Sequence, residues 1–427
     1  MGLSYGEDFK TMSRQETTIL TNDEKRAGIY NATGQHCTDP AAVTRDTPLD
    51  RLNLNWREKD LRERDRTKHV HRLHPYLGKF IPQLAEIFLR KYFAPGQTVL
   101  DPFCGSGTTL IQANELGINS IGFDISAFNV LLCEAKTQKY DVRKLRLEIL
   151  DILEKVRSAT QKRTDQLSLW GNNPPQSLTG KIDSEYLSIW FAPQALNELL
   201  LYRKLVDTGK YKYKKILKII LSRSARSARL TTHFDLDFPK KPQTEPYWCY
   251  KHSRTCQPTH GAFKFLNRYS LDTLERIQEF DSIRTTAKML VYHRDSRTTA
   301  IPCVDGVVTS PPYVGLIDYH DQHAYAYHLL GLRDRRQKEI GPARNGSSRK
   351  AKEQYLDDIA TVFRRIALSM PSRGVIIVVA HDSHNLYTQL PGMIGVVEEA
   401  VVQRHVNRRT GRRANDFFES VFIWRKP

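Results

Sequence analysis

Asp101-Pro102-Phe103-Cys104-Gly105-Ser106-Gly107-Thr108-Thr109 stands between a short apolar run, Thr98-Val99-Leu100, and a helix-like stretch carrying Leu110, Ile111 and Leu116. Strand, glycine-rich turn and helix together open a doubly wound parallel sheet, whose ligands meet the carboxyl ends of the strands. The turn is informative for what it lacks. A dinucleotide site asks for a third glycine where Leu110 stands, and a phosphate loop asks for Gly-Lys-Ser/Thr, which is absent. The backbone is therefore shaped for close approach to a ligand without a pyrophosphate.

Reading outward, Gly117 stops the helix, and Ser120–Phe123 is a second strand ending in Asp124. A carboxylate at that strand end accepts both hydroxyls of a ribose. S-adenosyl-L-methionine meets both requirements: its ammonium faces Asp101, its carboxylate meets free N–H groups at the helix start, and its ribose meets Asp124. Upstream, Leu84, Ile87, Phe88 and Tyr92 follow Pro82 at helical spacing until Pro95-Gly96 breaks the pattern. Arg57–Arg72 is dense in charge and reads as a solvated helix. The alternation lapses over 150–284, where helical stretches (Leu196–Leu205, Tyr213–Leu221) precede a loop rich in proline, lysine and aromatics (Phe238–His260). It resumes with strands at Met289–Tyr292, Gly306–Thr309, Gly374–Ala380 and Ser420–Trp424. The expected organisation is a polar N-terminal arm (1–50), a cofactor-binding part of the core (51–149), an inserted target-recognition region (150–284) and a catalytic part (285–427).

The strand Val304–Val308 runs into Thr309-Ser310-Pro311-Pro312-Tyr313. Consecutive prolines fix the backbone and remove two N–H donors, so acceptors are left without internal partners. An exocyclic amine needs such acceptors, here Ser310 Oγ and a proline carbonyl. Accepting both N–H bonds draws the nitrogen lone pair out of conjugation and makes it nucleophilic. Tyr313 offers a flat face for a flipped base.

Lys and Arg number 65 against 47 Asp and Glu, a net charge of +18 that points to a polyanionic partner such as nucleic acid. The first fifty residues lack the apolar stretch of a secretory leader, and the six cysteines are scattered, so reduced thiols and a cytoplasmic location are expected. No apolar run approaches the length of a membrane span. Cys249, His252, Cys256 and His260 form a C-x2-H-x3-C-x3-H string of zinc-ligand types; its spacing matches no common finger, so a packed loop without metal is expected. His320, His323 and His328 read as polar-face residues of a helix on the nucleic-acid side. Methylation at cytosine C5 is excluded, because its cysteine nucleophile belongs at the strand end that Ser310 occupies, whereas Pro302-Cys303 precedes the strand.

Taken together, these motifs resemble those of the DNA amino-methyltransferases, the N4-cytosine/N6-adenine group of restriction–modification systems. Asp101–Thr109 is similar to the family's cofactor motif. His74–Phe80 resembles the segment that closes over the methionine moiety, and Asp295 stands where an acid approaches the adenine amine. Ser310–Tyr313 resembles the catalytic motif, in which Ser-Pro-Pro-Tyr is typical of N4-cytosine enzymes and Asp or Asn in first place of N6-adenine ones. Arg408 to Trp424 looks like the closing strands.

The resemblance implies a class I, Rossmann-like α/β methyltransferase, a three-layer sandwich around a mostly parallel seven-stranded sheet; position and composition, not the resemblance, add a mainly helical insertion at 150–284. It implies cofactor binding by Lys79, Phe80, Asp101, Pro102, Phe103, Gly105, Ser106, Gly107, Thr108, Asp124 and Asp295, and catalysis by Ser310, Pro311, Pro312 and Tyr313. Its partners would be double-stranded DNA with a flipped cytosine and a cognate restriction endonuclease. Adenine N6, an RNA base amine, or catalytically silent DNA binding are the alternatives. One departure is the length between the motifs, about two hundred residues, which falls before the third strand.

Overall fold

Val375–Ala380 shows how the sheet is buried. All six residues are apolar and none is exposed. Successive side chains of a strand point to opposite faces. Thus Ile376, Val378 and Ala380 join a cluster with Phe363 and Trp424, while Val375, Ile377 and Val379 join another with Leu84 and Phe88. A strand without polar alternation needs cover on both faces, the condition of a parallel sheet sandwiched by helices.

The computed structural model describes residues 29–31, 36–76, 78, 80–170, 184–233, 235–236, 239–406 and 417–427. Its strands are β1 (Ile29–Asn31), β2 (Thr98–Asp101), β3 (Asn119–Asp124), β4 (Tyr247–Cys249), β5 (Arg254–Cys256), β6 (Met289–His293), β7 (Gly306–Thr309), β8 (Val375–Ala380), β9 (Val397–His405) and β10 (Phe418–Arg425). One eight-stranded sheet runs in the order β1-β9-β10-β8-β7-β2-β3-β6, and β4–β5 form a separate antiparallel hairpin. Within the large sheet only β10 runs antiparallel to its neighbours. The expected class I, mostly parallel seven-stranded sheet is present; β1 adds an eighth strand at its edge.

From β2 the chain winds one way to β3 and β6. From β7 it winds the other way to β8. Because β2 and β7 are neighbours, the switch of direction falls between them, where loops diverge and leave a crevice at the carboxyl ends. Gly306 permits this pairing: a Cβ there would sit 2.5 Å from the Val375 carbonyl oxygen and 2.7 Å from the Phe93 ring.

The helical stretches expected in 150–284 fall on the helices Pro193–Thr208 and Lys214–Ala228, with Tyr213 as the N-cap of the second. With Val142–Trp170 and Phe263–Asp281 they form a layer with a large core. That core is continuous with the sheet-covering helix Ala127–Thr137 and with Ala324–Leu330, through Phe128, Leu132, Tyr325 and Leu329.

Three local expectations need correction. Arg57–Arg72 is not one solvated helix but a single α-turn, Glu63–Arg66, and a 3-10 turn, His69–Arg72. His69 and His71 are buried, with His69 stacked 5.2 Å from Phe280 and 3.0 Å from a Glu115 oxygen. The loop 238–260 contains the β4–β5 hairpin. Finally, His320 and His323 are only 1% exposed and are core residues, not polar-face ones; His323 stacks on Phe128 at 4.5 Å.

Candidate active site

Asp101 ends β2 and Thr309 ends β7. The Thr309 hydroxyl donates to Asp101 Oδ1 at 2.6 Å, and the Phe103 N–H donates to the same oxygen at 3.2 Å. This bond ties the two strand ends together and fixes Ser310 beside the turn after β2. Asp124, at the end of β3, accepts from the Gly105 N–H (2.8 Å), the Ser126 N–H (2.8 Å) and Asn129 Nδ2 (3.1 Å). Burial pushes the carboxyl groups of Asp101 and Asp124 up to about 6, against the hydrogen bonds that favour their ionised forms.

The turn between them is held from below. The buried Lys136 ammonium donates to the Ser106 carbonyl at 2.6 Å, and the Cys133 thiol lies 3.1 Å from the Gly105 carbonyl. Gly105 and Gly107 take φ of 47° and 81°. A side chain at Gly105 would meet the Tyr76 hydroxyl at 3.1 Å, and one at Gly107 would meet Cys133 Sγ at 2.9 Å. Both glycines are thus required by conformation and by space.

A cleft of about 810 Å³, its open mouth included, lies over these strand ends. Of the expected cofactor residues, Phe80, Asp101, Pro102, Phe103, Gly105, Ser106, Thr108, Asp124 and Asp295 line it. Gly107 sits behind the turn, and Lys79 lies outside the described residues. Asp295 reaches the cleft with its carboxylate already bound by Arg297, at 3.0 and 2.8 Å. Although burial acts the other way, this guanidinium and the Arg297 N–H hold Asp295 below the usual carboxylate range.

On the other wall, Ser310 and Pro312 face the same cleft. The Pro312 carbonyl accepts from the Tyr355 hydroxyl at 2.9 Å; among the described residues no donor reaches the Pro311 carbonyl. Tyr313 is buried and does not line the cleft. Its hydroxyl donates to Glu419 Oε1 at 3.2 Å, and Glu419 is held by Arg404 at 2.6 Å. The Tyr313 ring lies 6.2 Å from that of His381, which stacks on Phe417 at 4.0 Å. Burial and the Glu419 charge push the Tyr313 phenol well up, with Ser310 opposing.

Four polar side-chain atoms of cleft-lining residues are buried without a hydrogen bond of full geometry: Ser106 Oγ, Thr108 Oγ1, Asn129 Oδ1 and Ser310 Oγ. Buried polar groups usually find a partner, and these four border space that a ligand can fill. Two carboxylates, two hydroxyls at a helix start and an apolar floor of Phe80, Phe103 and Ile340 suit a ligand with ammonium, carboxylate, ribose and adenine parts.

Tyr76, Asn129, Tyr319 and Glu339 also line the cleft without having been expected there. Asn129 donates to the Tyr76 hydroxyl at 3.1 Å, and Tyr76 stacks 6.1 Å from Tyr319. Tyr76 lies within the segment 74–80 singled out in the sequence; Tyr319 opens the short helix Tyr319–Gln322, far along the chain, with no local signal.

A family model described as DNA methylase, of the N6/N4 type, matches residues 11–135. The chain is similar to the Type II methyltransferase M.MjaII of Methanocaldococcus jannaschii, at 38% identity over 85% of this chain and 81% of that one. It is similar to the Type II methyltransferase M.BsoBI of Geobacillus stearothermophilus at 24% identity, over 65% of this chain and 56% of that one. Among solved structures, TrmN from Thermus thermophilus is similar at 12% identity and a TM-score of 0.33, over 82% of this chain and 50% of that one.

Proposed function

This chain belongs to the DNA amino-methyltransferase family, and from that premise we propose that it methylates the exocyclic N4 amine of cytosine at a specific site in double-stranded DNA. At the coarser level it is a DNA methyltransferase of the N4/N6 type with S-adenosylmethionine as cofactor.

What supports the finer reading is Ser310 Oγ, a buried hydroxyl with no hydrogen bond of full geometry, on the same cleft as Asp101 and Asp124. In this reading Asp101 receives the cofactor's ammonium, Ser106 and Thr108 its carboxylate, and Asp124 its ribose. When bound, S-adenosylmethionine supplies an electrophilic methyl group on a sulfonium. Ser310 Oγ and the Pro311 carbonyl accept the two N–H bonds of the target amine. That holds its lone pair out of conjugation and directs it across the cleft. The Pro312 carbonyl, satisfied by Tyr355, stiffens the turn instead. Tyr313 was expected to stack on the flipped base, but it is buried away from the cleft; bonded to Glu419, it anchors the turn that carries Ser310 instead. Direct transfer needs no strong general base, so His381 is assigned none.

Residues 150–284 are proposed to supply sequence recognition, with a cognate endonuclease and a cytoplasmic location as further parts of the reading. Among the described residues no helix is long and apolar enough to cross a membrane. The test is to methylate duplex DNA with labelled cofactor, digest it and identify the nucleoside by mass spectrometry. N4-methylcytosine is expected. N6-methyladenine would keep the mechanism and refute the base; label in RNA but not DNA would refute the substrate.

A further inference from the structure

The string Cys249, His252, Cys256, His260 does not close in space as its sequence suggests. His260 is exposed and stands outside the cluster, and His233, from the loop after the helix Lys214–Ala228, takes its place. One ligand atom from each of His233, Cys249, His252 and Cys256 lies within 4.8 Å of every other. Cys249 Sγ is 3.5 Å from His233 Nδ1 and 3.5 Å from His252 Nδ1, and Cys256 Sγ is 3.5 Å from His252 Nδ1. Tetrahedral zinc, with Zn–S of about 2.3 Å and Zn–N of about 2.0–2.1 Å, sets S···N separations of about 3.5–3.6 Å. We propose that His233, Cys249, His252 and Cys256 form a structural zinc site.

Three observations carry the assignment beyond proximity. First, His252 is an exposed side chain that nevertheless turns Nδ1 toward both sulfurs. An imidazole free to meet water gains little from two thiols, because S–H is a weak donor. Second, the segment has almost no core of its own. Between Leu230 and Ala262 the only buried apolar side chains among the described residues are Cys249, Cys256 and Pro258. Small units that cannot bury apolar area are held by disulfides or metals. Third, the local backbone is shaped for ligation. β4 ends at Cys249 and β5 at Cys256, the His252 N–H donates to the Cys249 carbonyl at 3.1 Å, and Ser253 turns the chain with φ of 49°. That residue is not glycine, so the turn is held at a cost in backbone strain.

Two thiolates and two imidazoles in a tetrahedron are a zinc set, and four protein ligands leave no open position for chemistry. None of the four lines the cofactor cleft, which assigns the ion to folding. The Tyr247 hydroxyl now lies 2.9 Å from His233 Nδ1 and accepts from the His233 N–H at 3.2 Å. Ligation gives the Nδ1 lone pair to the ion and leaves Tyr247 the second of these bonds.

The experiment is elemental analysis of the full chain, purified without an affinity tag that binds metal. About one zinc per chain is expected, falling below about 0.1 in His233→Ala and in Cys256→Ser. His260→Ala should keep its zinc, which separates this ligand set from the one in the sequence string. Should a ligand variant fail to fold, wild-type protein stripped with a chelator and titrated with Co²⁺ supplies the readout. Tetrahedral dithiolate ligation then gives a thiolate charge-transfer band and intense visible bands. Wild-type protein with neither zinc nor that spectrum would overturn the proposal. So would a Cys249–Cys256 disulfide found by mass spectrometry, or zinc lost from His260→Ala but kept in His233→Ala.

Discussion

The turn after β2 and the turn after β7 face each other across one cleft, yet they are finished differently. Around the first, the charged groups are already satisfied: Asp101 by Thr309 and Phe103, Asp124 by Gly105, Ser126 and Asn129. What stays open there are neutral hydroxyls, on Ser106 and Thr108. The second turn has prolines in place of donors, and Ser310 Oγ is its open side-chain acceptor. The first wall is a preorganised socket that needs little from its ligand. The second is incomplete until an N–H donor arrives. Binding energy and rate should therefore be separable between them.

The largest separation is expected from Ser310→Ala. Its acceptor matters most as the amine becomes tetrahedral, so kcat should fall by about 100-fold or more while the cofactor Kd moves less than about twofold. Single-turnover methylation beside calorimetric titration checks this, and a kcat loss under about threefold would break the comparison. Next comes Asp124→Ala on the opposite wall. Losing charge-assisted bonds worth about 1.5–3 kcal/mol should raise the cofactor Kd by roughly 10- to 100-fold. An unchanged titration would remove Asp124 from the socket.

A smaller effect comes from pH. The folded pKa values of Asp101 and Asp124, about 6, lie above the ordinary carboxylate value. The free protein therefore binds more protons than the unfolded chain between the two values, and these groups' contribution to stability is lost as pH rises through 6. A cationic cofactor prefers the ionised carboxylates, so its affinity should rise through the same window, about tenfold per pH unit for each group that must ionise. Affinity flat between pH 5 and 7 would count against both assignments; Asp101→Asn should raise the melting temperature of the free protein at neutral pH. Smallest of all, Ser106→Ala or Thr108→Val should weaken the cofactor by about 3- to 10-fold, a neutral hydrogen bond each, with the free protein's stability unchanged. A matching loss of stability would show that these hydroxyls have protein partners after all.

The same contrast explains what was legible in the sequence. The strands around Asp101, Asp124 and Ser310 show as short apolar runs ending in polar residues, because strand ends at a topological switch point are where chemistry sits. Tyr319 and Asn129 were not legible as cleft residues. Asn129 lies in the helix Ala127–Thr137 and Tyr319 begins the helix Tyr319–Gln322; which way each points depends on how those helices pack over the strand ends, and no local period encodes that. Charge was legible in total but not in use. Arg223 ion-pairs with Asp272 and lies over the Tyr269 ring at 4.2 Å, and Arg229 is buried over Tyr325 at 4.5 Å. Both count toward +18, and both face inward. The cysteine–histidine string was legible only in part: Cys249, His252 and Cys256 come together as the spacing suggests, but His260 stands apart and His233, upstream of the hairpin, joins them.

The core shared by the helical layer and the helices Ala127–Thr137 and Ala324–Leu330 bears on how such a protein changes its target. Residues 142–281 cannot be lifted out as a cassette, because removal strips apolar cover from Phe128 and Leu329, on the helices Ala127–Thr137 and Ala324–Leu330. If this layer supplies recognition, as proposed, new specificity would have to arise by substitution on exposed surfaces and hairpin tips, one side chain at a time. A chimera that swaps the whole layer should lose its cooperative melting transition before it acquires a new site.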